Sequence, residues 1–206
     1  RHGDAPSRLF PYFQRAQRPL LAVGLSAVRA GVKPLIQKLA ERYKIPVVLT
    51  PMAKGMFPEN HPLYAGVLFH ALSGKMAEIC VEADLIMGIG YDPVELNYED
   101  WMPVVPLIHF DEQPADIDRD KIQQVINVPG ALKSSLEMML TGAKTGEKSW
   151  DLSYLQKQKA DLFSRLVPPD EDEFDPRSVI AGLRNALPED GILTVDVGAH
   201  LHLAGQ

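Results

Sequence analysis

Leu20-Leu21-Ala22-Val23 follows Pro19 and stops at Gly24. Behind it Val28, Val32, Leu35, Ile36, Leu39, Ala40 and Tyr43 recur at three- and four-residue spacing. An uncharged run ending in glycine reads as a buried strand, and the stripe after it as an amphipathic helix with one core-facing side. Pro34 lies within that stripe, so its first turns are expected to be irregular or kinked. Working outward, the same unit recurs. Pro46-Val47-Val48-Leu49-Thr50 is a strand closed by Pro51. Met76, Ile79, Cys80 and Ala83 form a short helical stripe before the strand Leu85-Ile86-Met87-Gly88-Ile89, which ends at Gly90. Val105 to Phe110 is a strand ending at Asp111. Val125-Ile126-Asn127-Val128 leads through Pro129-Gly130 into a helix carrying Leu132, Leu136, Met139 and Leu140.

Short apolar runs alternating with helices indicate βαβ units, and the near absence of polar alternation within the runs indicates a sheet covered on both faces. The expected fold class is α/β: an open doubly wound, Rossmann-like parallel sheet with helices on both faces, plus a partial second α/β unit. A barrel is disfavoured because about five such units precede residue 141. Residues 52–68 show weak patterning and read as a loop with one short helical turn. Residues 91–104 read as irregular, acidic and aromatic.

The reading divides the chain into a leading helix and linker (1–18), a central Rossmann-like domain (19–142), an interdomain linker and helix (143–174) and the first part of a further domain (175–206). Thr141 to Lys148 reads as a flexible linker and about 149–166 as a polar helix. Asp175-Pro176 opens another helix, Asp as cap and Pro in the first turn, with an apolar stripe of Val179, Ile180, Leu183 and Leu187. Gly191 to Asp196 is expected as a strand, Gly198 as its turn, and the residues after Ala199 as a helix. The stripe is expected to be partly exposed, or to dock on the central domain or a second copy.

The chain of 206 residues carries 21 Lys and Arg against 27 Asp and Glu, a net charge of −6, with 46% hydrophobic and 23% charged residues. That composition supports a packed core and argues against general nucleic-acid or anionic-membrane binding, both of which need a positive field. No run of about 18 uncharged apolar residues suggests a membrane span. The single cysteine, Cys80, forms no internal disulfide and agrees with a reducing, cytoplasmic setting. The chain begins Arg1-His2-Gly3-Asp4 and stops at Ala204-Gly205-Gln206 inside an opening helix, so it is expected to be a piece of a longer protein.

Four places could carry chemistry. At the turn Gly24-Leu25-Ser26, only Gly24 matches the G-x-G-x-x-G pattern, so it is either a plain strand-to-helix turn or a weak nucleotide turn. Gly88-Ile89-Gly90-Tyr91-Asp92 ends a strand where open sheets bind ligands; Asp92, Glu95, Glu99 and Asp100 follow, at no calcium-loop spacing, and read as a solvated acidic loop. Tyr91, Tyr98 and Trp101 would pin that loop to a neighbouring surface. Within His109-Phe110-Asp111, the acid could meet a ribose hydroxyl or cap a turn. Thr194-Val195-Asp196-Val197-Gly198-Ala199-His200 offers a glycine before a helix start, where free N–H groups favour an anion such as phosphate and His200 could add a hydrogen bond. His61, His70 and His202 stand without partners at metal-ligand or triad spacing and read as structural or surface groups. No Ser–His–Asp, Cys–His or paired-carboxylate arrangement is legible.

Arg18-Pro19-Leu20-Leu21-Ala22-Val23-Gly24 followed by Ile45-Pro46-Val47-Val48-Leu49-Thr50-Pro51-Met52-Ala53-Lys54-Gly55-Met56-Phe57-Pro58-Glu59-Asn60-His61-Pro62 resembles the central domain of thiamine-diphosphate-dependent enzymes. Ala83-Asp84-Leu85-Ile86 and Ile108-His109-Phe110-Asp111 are similar to the same domain. Asp196-Val197-Gly198-Ala199-His200 resembles the start of the family's diphosphate-binding domain. Gly66-Val67-Leu68-Phe69 and Ile89-Gly90-Tyr91-Asp92-Pro93-Val94-Glu95 are similar to acetolactate synthases of the catabolic, flavin-independent type. The flavin-containing type carries an Arg-Phe-Asp-Asp-Arg-like run where this chain has Tyr91-Asp92-Pro93-Val94-Glu95.

The resemblance implies thiamine diphosphate and Mg²⁺ in a full-length parent that joins two pyruvates into acetolactate with loss of CO₂, and no FAD, since the arginines that would offset a flavin diphosphate are missing. A 2-keto acid decarboxylase parent and an FAD- or ADP-binding central module are the alternatives. It implies that the N-terminal cofactor-activating domain and the C-terminal metal motif lie outside this chain, that the parent is a homodimer or homotetramer, and that this piece is structural and inactive alone. Cofactor contacts implied here fall to Gly198, Ala199 and His200. Ala199 replaces a frequent Gln, whereas His200 matches the family's histidine. No catalytic or metal-binding residue is implied within the chain.

Overall fold

Uncharged five-residue runs need cover on both faces, and the computed structural model shows how this chain supplies it. The structure describes residues 5–69, 73–95, 101–144, 146–167, 175–188 and 190–206. Six strands, β1 (Pro19–Val23), β2 (Val47–Leu49), β3 (Tyr64–Val67), β4 (Leu85–Ile89), β5 (Leu107–Asp111) and β6 (Val125–Pro129), form one parallel sheet in the order β3-β2-β1-β4-β5-β6. Among the described residues eight α-helices accompany them: α1 (Ala5–Arg15), α2 (Leu25–Arg29), α3 (Lys33–Tyr43), α4 (Ser73–Cys80), α5 (Leu132–Gly142), α6 (Leu152–Ser164), α7 (Pro176–Ala186) and α8 (Ala199–Gly205). The expected open, doubly wound parallel sheet is the observed one. Its order reverses between β1 and β4, the switch point at which such sheets open a crevice.

Alternation along each strand separates two cores. Leu21, Val23, Val47, Leu49, Met87, Ile89, Ile108 and Phe110 face α1, α3 and α5, meeting Phe13, Ile36, Leu39, Tyr43, Leu136 and Met139. Leu20, Ala22, Val48, Ile86 and Leu107 face the other way, toward Met76, Ile79 and Cys80 of α4, Leu155 and Leu162 of α6, and Trp101 and Trp150. Every residue of β1 to β4 is therefore buried on one side or the other, whereas β6, at the far edge, is buried only at Ile126 and Val128, so polar alternation is absent from the central strands.

Three local expectations are corrected. The stripe from Val28 to Tyr43 is two helices. Gly31 takes φ +64 between them, and Pro34 sits in the first turn of α3, where its missing N–H costs no intrahelical bond. Within 52–68 the short turn is present at Pro51–Ala53, but Tyr64–Val67 is a strand, pairing with β2 at the open edge of the sheet. Residues 191–196, expected as a strand, have no regular structure. Among the described residues no strand lies beside them to take their backbone groups, and Ile192 is 89% exposed.

Of residues 141–148, expected as a flexible linker, the first two end α5, and residues 146–150 form a strap. The Lys148 N–H donates to the Tyr43 carbonyl (2.7 Å) and Ser149 N–H to the Gln17 carbonyl (2.8 Å). The Lys148 ammonium donates to the Phe13 and Ala16 carbonyls at the end of α1 (2.7 and 2.9 Å) and lies 4.5 Å from the Phe13 ring centroid. Trp150 Nε1 donates to the Pro19 carbonyl at 2.6 Å. The strap thus crosses the amino edge of the sheet and carries the chain to α6. There the Lys75 ammonium of α4 meets Asp161 (2.6 Å) and Gln158 (2.6 Å), tying the two helices together. Asp175 caps α7 as expected, accepting from the Arg177 N–H at 2.7 Å. None of the residues of α7 is buried, in keeping with the expected exposure of its stripe.

Candidate functional site

Ligands in a doubly wound sheet meet the carboxyl ends of the strands flanking the switch point, where a helix N-terminus offers unpaired N–H groups. In this chain those ends are Val23-Gly24 and Ile89-Gly90. The Gly24 N–H donates to the Ile89 carbonyl (3.1 Å), extending the ladder past both strands. The Ser26 N–H, in the first turn of α2, donates to the Gly90 carbonyl at 3.3 Å, and the Ala27 N–H donates to the Gly24 carbonyl at 3.1 Å. Gly90 takes φ +56, and a Cβ there would run into the Ala27 nitrogen and the Ser26 backbone. The Gly90 N–H is bound in turn to the Phe110 carbonyl (2.8 Å). The Ser26 donor and the Gly90 carbonyl at the switch point are thus paired with each other, and Gly90 packs directly on the start of α2.

The loop after Gly90 is fixed from below. His109 Nε2 lies 2.8 Å from the Tyr91 carbonyl, so that nitrogen carries the proton and donates. Burial holds the His109 imidazole below its ordinary pKa, against the hydrogen bond to Tyr91 and the nearby Asp111 and Asp92 carboxylates. Tyr91 and Trp101 pack edge to face at 5.8 Å, and Trp101 Nε1 donates to the Tyr91 hydroxyl at 3.3 Å. These two aromatics pin the loop within the chain. Asp92 accepts from the Val94 N–H (3.0 Å), and Asp111 accepts from the Glu112 N–H (2.6 Å), so both carboxylates stabilise local turns. Tyr98, Glu99, Asp100 and His70 lie outside the described residues, as does the side chain of Glu95.

Gly198, Ala199 and His200 sit at the start of α8. Gly198 is extended, its carbonyl accepts from the Leu201 N–H at 3.0 Å, and the His200 ring folds over the Gly198 Cα. His200 is exposed. Among the described residues no hydrogen bond joins this turn to Gly24, Gly90, Asp92 or Asp111. Among the described residues no three His, Cys, Asp or Glu side chains come together as metal ligands.

The run Ile45–Pro62 has a structural part that spacing did not reveal. Lys54 pairs with Glu59 at 2.6 Å, and Phe57 is fully buried. His61, read from sequence as isolated, has partners. Its Nδ1 accepts from the Leu63 N–H (3.1 Å), its Nε2 lies 3.4 Å from Glu41 of α3, and its ring meets Phe57 edge-on. From α6, Lys159 donates to the Glu59 carbonyl and Gln156 to the Pro62 carbonyl, both at 2.8 Å. The motif thus holds the β2–β3 connection between α3 and α6. Two surface hollows, of about 550 Å³ beside Lys38, Arg42 and Thr141 and about 240 Å³ beside Arg18, Trp150 and Tyr154, lie at the opposite, amino edge of the sheet.

A parallel sheet in this order, with helices on both faces, defines a Rossmann-like module. Residues 7–139 match the family model described as thiamine pyrophosphate enzyme, central domain, and the chain belongs to that family. Among curated relatives it is 34% identical over 201 residues to the acetolactate synthase large subunit of Parasynechococcus marenigrum, covering 94% of this chain and 32% of that protein. It is 31% identical over 205 residues to the acetolactate synthase of Arthrospira platensis (93% and 34%). The probable acetolactate synthase large subunit of Methanocaldococcus jannaschii is 29% identical over 196 residues (89% and 33%). The chain spans about a third of the length of these relatives. Among the described residues no helix is long and apolar enough to cross a membrane.

Proposed function

We propose that this chain is the central module of a thiamine-diphosphate-dependent acetolactate synthase, whose whole converts two pyruvates to acetolactate and CO₂, and that the module by itself is a scaffold without a reaction centre. The observation that carries the reading is the alignment of 94% of the chain, at 34% identity, with one large subunit of that name. Bound thiamine diphosphate supplies the electron sink that lets a 2-keto acid lose CO₂. This chain's residues do other work. The motif Lys54–Pro62 braces β2 against β3, the strap at Lys148 fixes α1 to the amino edge, and the Gly198–His200 turn presents N–H donors toward an anionic group. The exposed Val179 and Leu183 of α7 provide apolar surface for the parent's further domains or for a second subunit.

The same reading assigns no FAD to the module. It is supported by the Ser26–Gly90 hydrogen bond, which uses the first-turn donor a flavin diphosphate would need, and by Tyr91-Asp92-Pro93-Val94-Glu95, a stretch without arginine. Incubation of the chain with pyruvate, thiamine diphosphate and Mg²⁺, followed by an acetolactate assay, tests the scaffold reading. The expected result is no product above a no-protein control, and measurable turnover would refute it.

A further inference from the structure

His109 lies on β5 on the face opposite Ile108 and Phe110 and is 3% exposed. A polar side chain buried this deeply needs partners for its nitrogens. Nε2 has one, donating to the Tyr91 carbonyl at 2.8 Å. Among the described residues Nδ1 has none within hydrogen-bond distance. The elements around the ring account for this. Across the register on β6 stands Asn127, whose Oδ1 accepts from the Ala115 N–H at 3.0 Å. Across on β4 stands Gly88, where a Cβ would lie 3.2 Å from Tyr91 Cβ and 3.3 Å from His109 Cδ2, so the ring and Tyr91 both pack onto that strand. The charged groups acting on the ring are Asp111 of its own strand and Asp92 of the following loop, and each carboxylate already accepts a backbone N–H.

A neutral imidazole suits these surroundings, with Nε2 as donor and Nδ1 as an unused acceptor. A proton on Nδ1 adds a second donor and a positive charge. A buried donor without a partner is costly, and a buried charge more so. Burial accordingly outweighs both carboxylates and holds the imidazole below its ordinary 6.5. Relief comes on the loop side, because β5 is paired with β4 and β6 along its length. There Tyr91 carries Trp101 with it, edge to face at 5.8 Å and through the indole N–H to the Tyr91 hydroxyl at 3.3 Å.

We propose that His109 is an acid-sensitive catch: while neutral it holds Tyr91, and through it Trp101, against the sheet, and a proton taken from solvent onto Nδ1 releases them. In the released form the imidazole is hydrated and titrates at its ordinary value. A group whose closed-state pKa is depressed in this way stabilises the closed form fully above pH 6.5 and progressively less as pH falls below it. The catch acts one residue from Gly90, at the carboxyl end of β4.

NMR on the 206-residue chain tests this. The His109 imidazole resonance is expected to titrate with a midpoint below 6.5. Exchange of the Trp101 indole N–H, taken relative to its intrinsic rate at each pH, is expected to rise about tenfold from pH 7 to pH 5. The Trp150 indole, which donates to the Pro19 carbonyl, is expected to show no such rise. In His109→Gln, whose amide can still donate to Tyr91 but takes no proton, the rise at Trp101 should disappear. A midpoint at or above 6.5, no rise at Trp101, an equal rise at Trp150, or a rise that persists in His109→Gln would each overturn the proposal. The readings on the unsubstituted chain decide the matter by themselves if the variant does not fold.

Discussion

The Ser26 N–H donates to the Gly90 carbonyl at 3.3 Å, across the point where the strand order of the sheet reverses. Ser26 lies in the first turn of α2 and Gly90 just after β4, and their contact packs these two segments, distant in sequence, into one joint. Gly90 is the tightest part of that joint. Its φ of +56 and the nearness of the Ala27 nitrogen leave no room for a side chain. Gly90→Ala is expected to destabilise the fold by about 2–4 kcal/mol, combining backbone strain with overpacking. Urea denaturation measures it, and a loss below about 0.5 kcal/mol would mean that the joint is loose.

Asp84, the residue before β4, anchors the start of β1. Its two carboxylate oxygens accept the Gln17 and Arg18 N–H groups at 2.7 and 2.9 Å. Asp84→Ala removes both acceptors and is expected to cost about 2 kcal/mol, with Asp84→Asn costing less because one acceptor remains. Equal stability of Asp84→Ala and the unsubstituted chain in urea would contradict this.

Much of the sheet could be read directly, and the places where reading stopped have physical causes. Five strands are legible because Leu20–Val23, Val47–Leu49, Leu85–Ile89, Leu107–Phe110 and Val125–Val128 are mostly apolar runs, fully buried in the first four and interrupted only by His109 and Asn127. β3 hides because Tyr64-Ala65-Gly66-Val67 is short, contains a glycine and follows a run of turn residues. Gly191–Asp196 looks like a strand and is not, because an apolar run becomes a strand only beside a partner. The candidate site was half legible. Gly24 and Gly90 each mark a strand end, but their closure over one another is a contact that no local pattern encodes. The partners of His61, Glu41 and Leu63, became visible only once α3 and the β2–β3 connection were placed together.

Cys80 is fully buried in the core between α4 and the sheet, and burial pushes its thiol pKa well above the ordinary value. The thiolate is the reactive form, so a thiol held neutral is inert. Ellman's reagent is expected to label the native chain hardly at all at pH 8 and to label it stoichiometrically in denaturant. Rapid labelling under native conditions would show that α4 opens.

The cap of α7 titrates. Hydrogen bonds from the Arg177 side chain and N–H hold the Asp175 carboxyl at about 2, below its ordinary 3.8. A depressed folded-state pKa means that the stabilisation is fully present above pH about 4 and is lost as pH falls through about 2. The Arg177 amide resonance should therefore titrate with a midpoint near 2 and stay constant from pH 5 to 8. A midpoint near 4 would indicate that Asp175 is not engaged, and Asp175→Asn should remove the transition.

Calorimetric titration of the chain with FAD and with ADP addresses most directly the claim that the Ser26 donor and the Gly90 carbonyl at the switch point are paired with each other. The account predicts no binding heat at micromolar concentrations of either nucleotide. Saturable binding in that range, lost when Ser26 or Gly90 is altered, would contradict it.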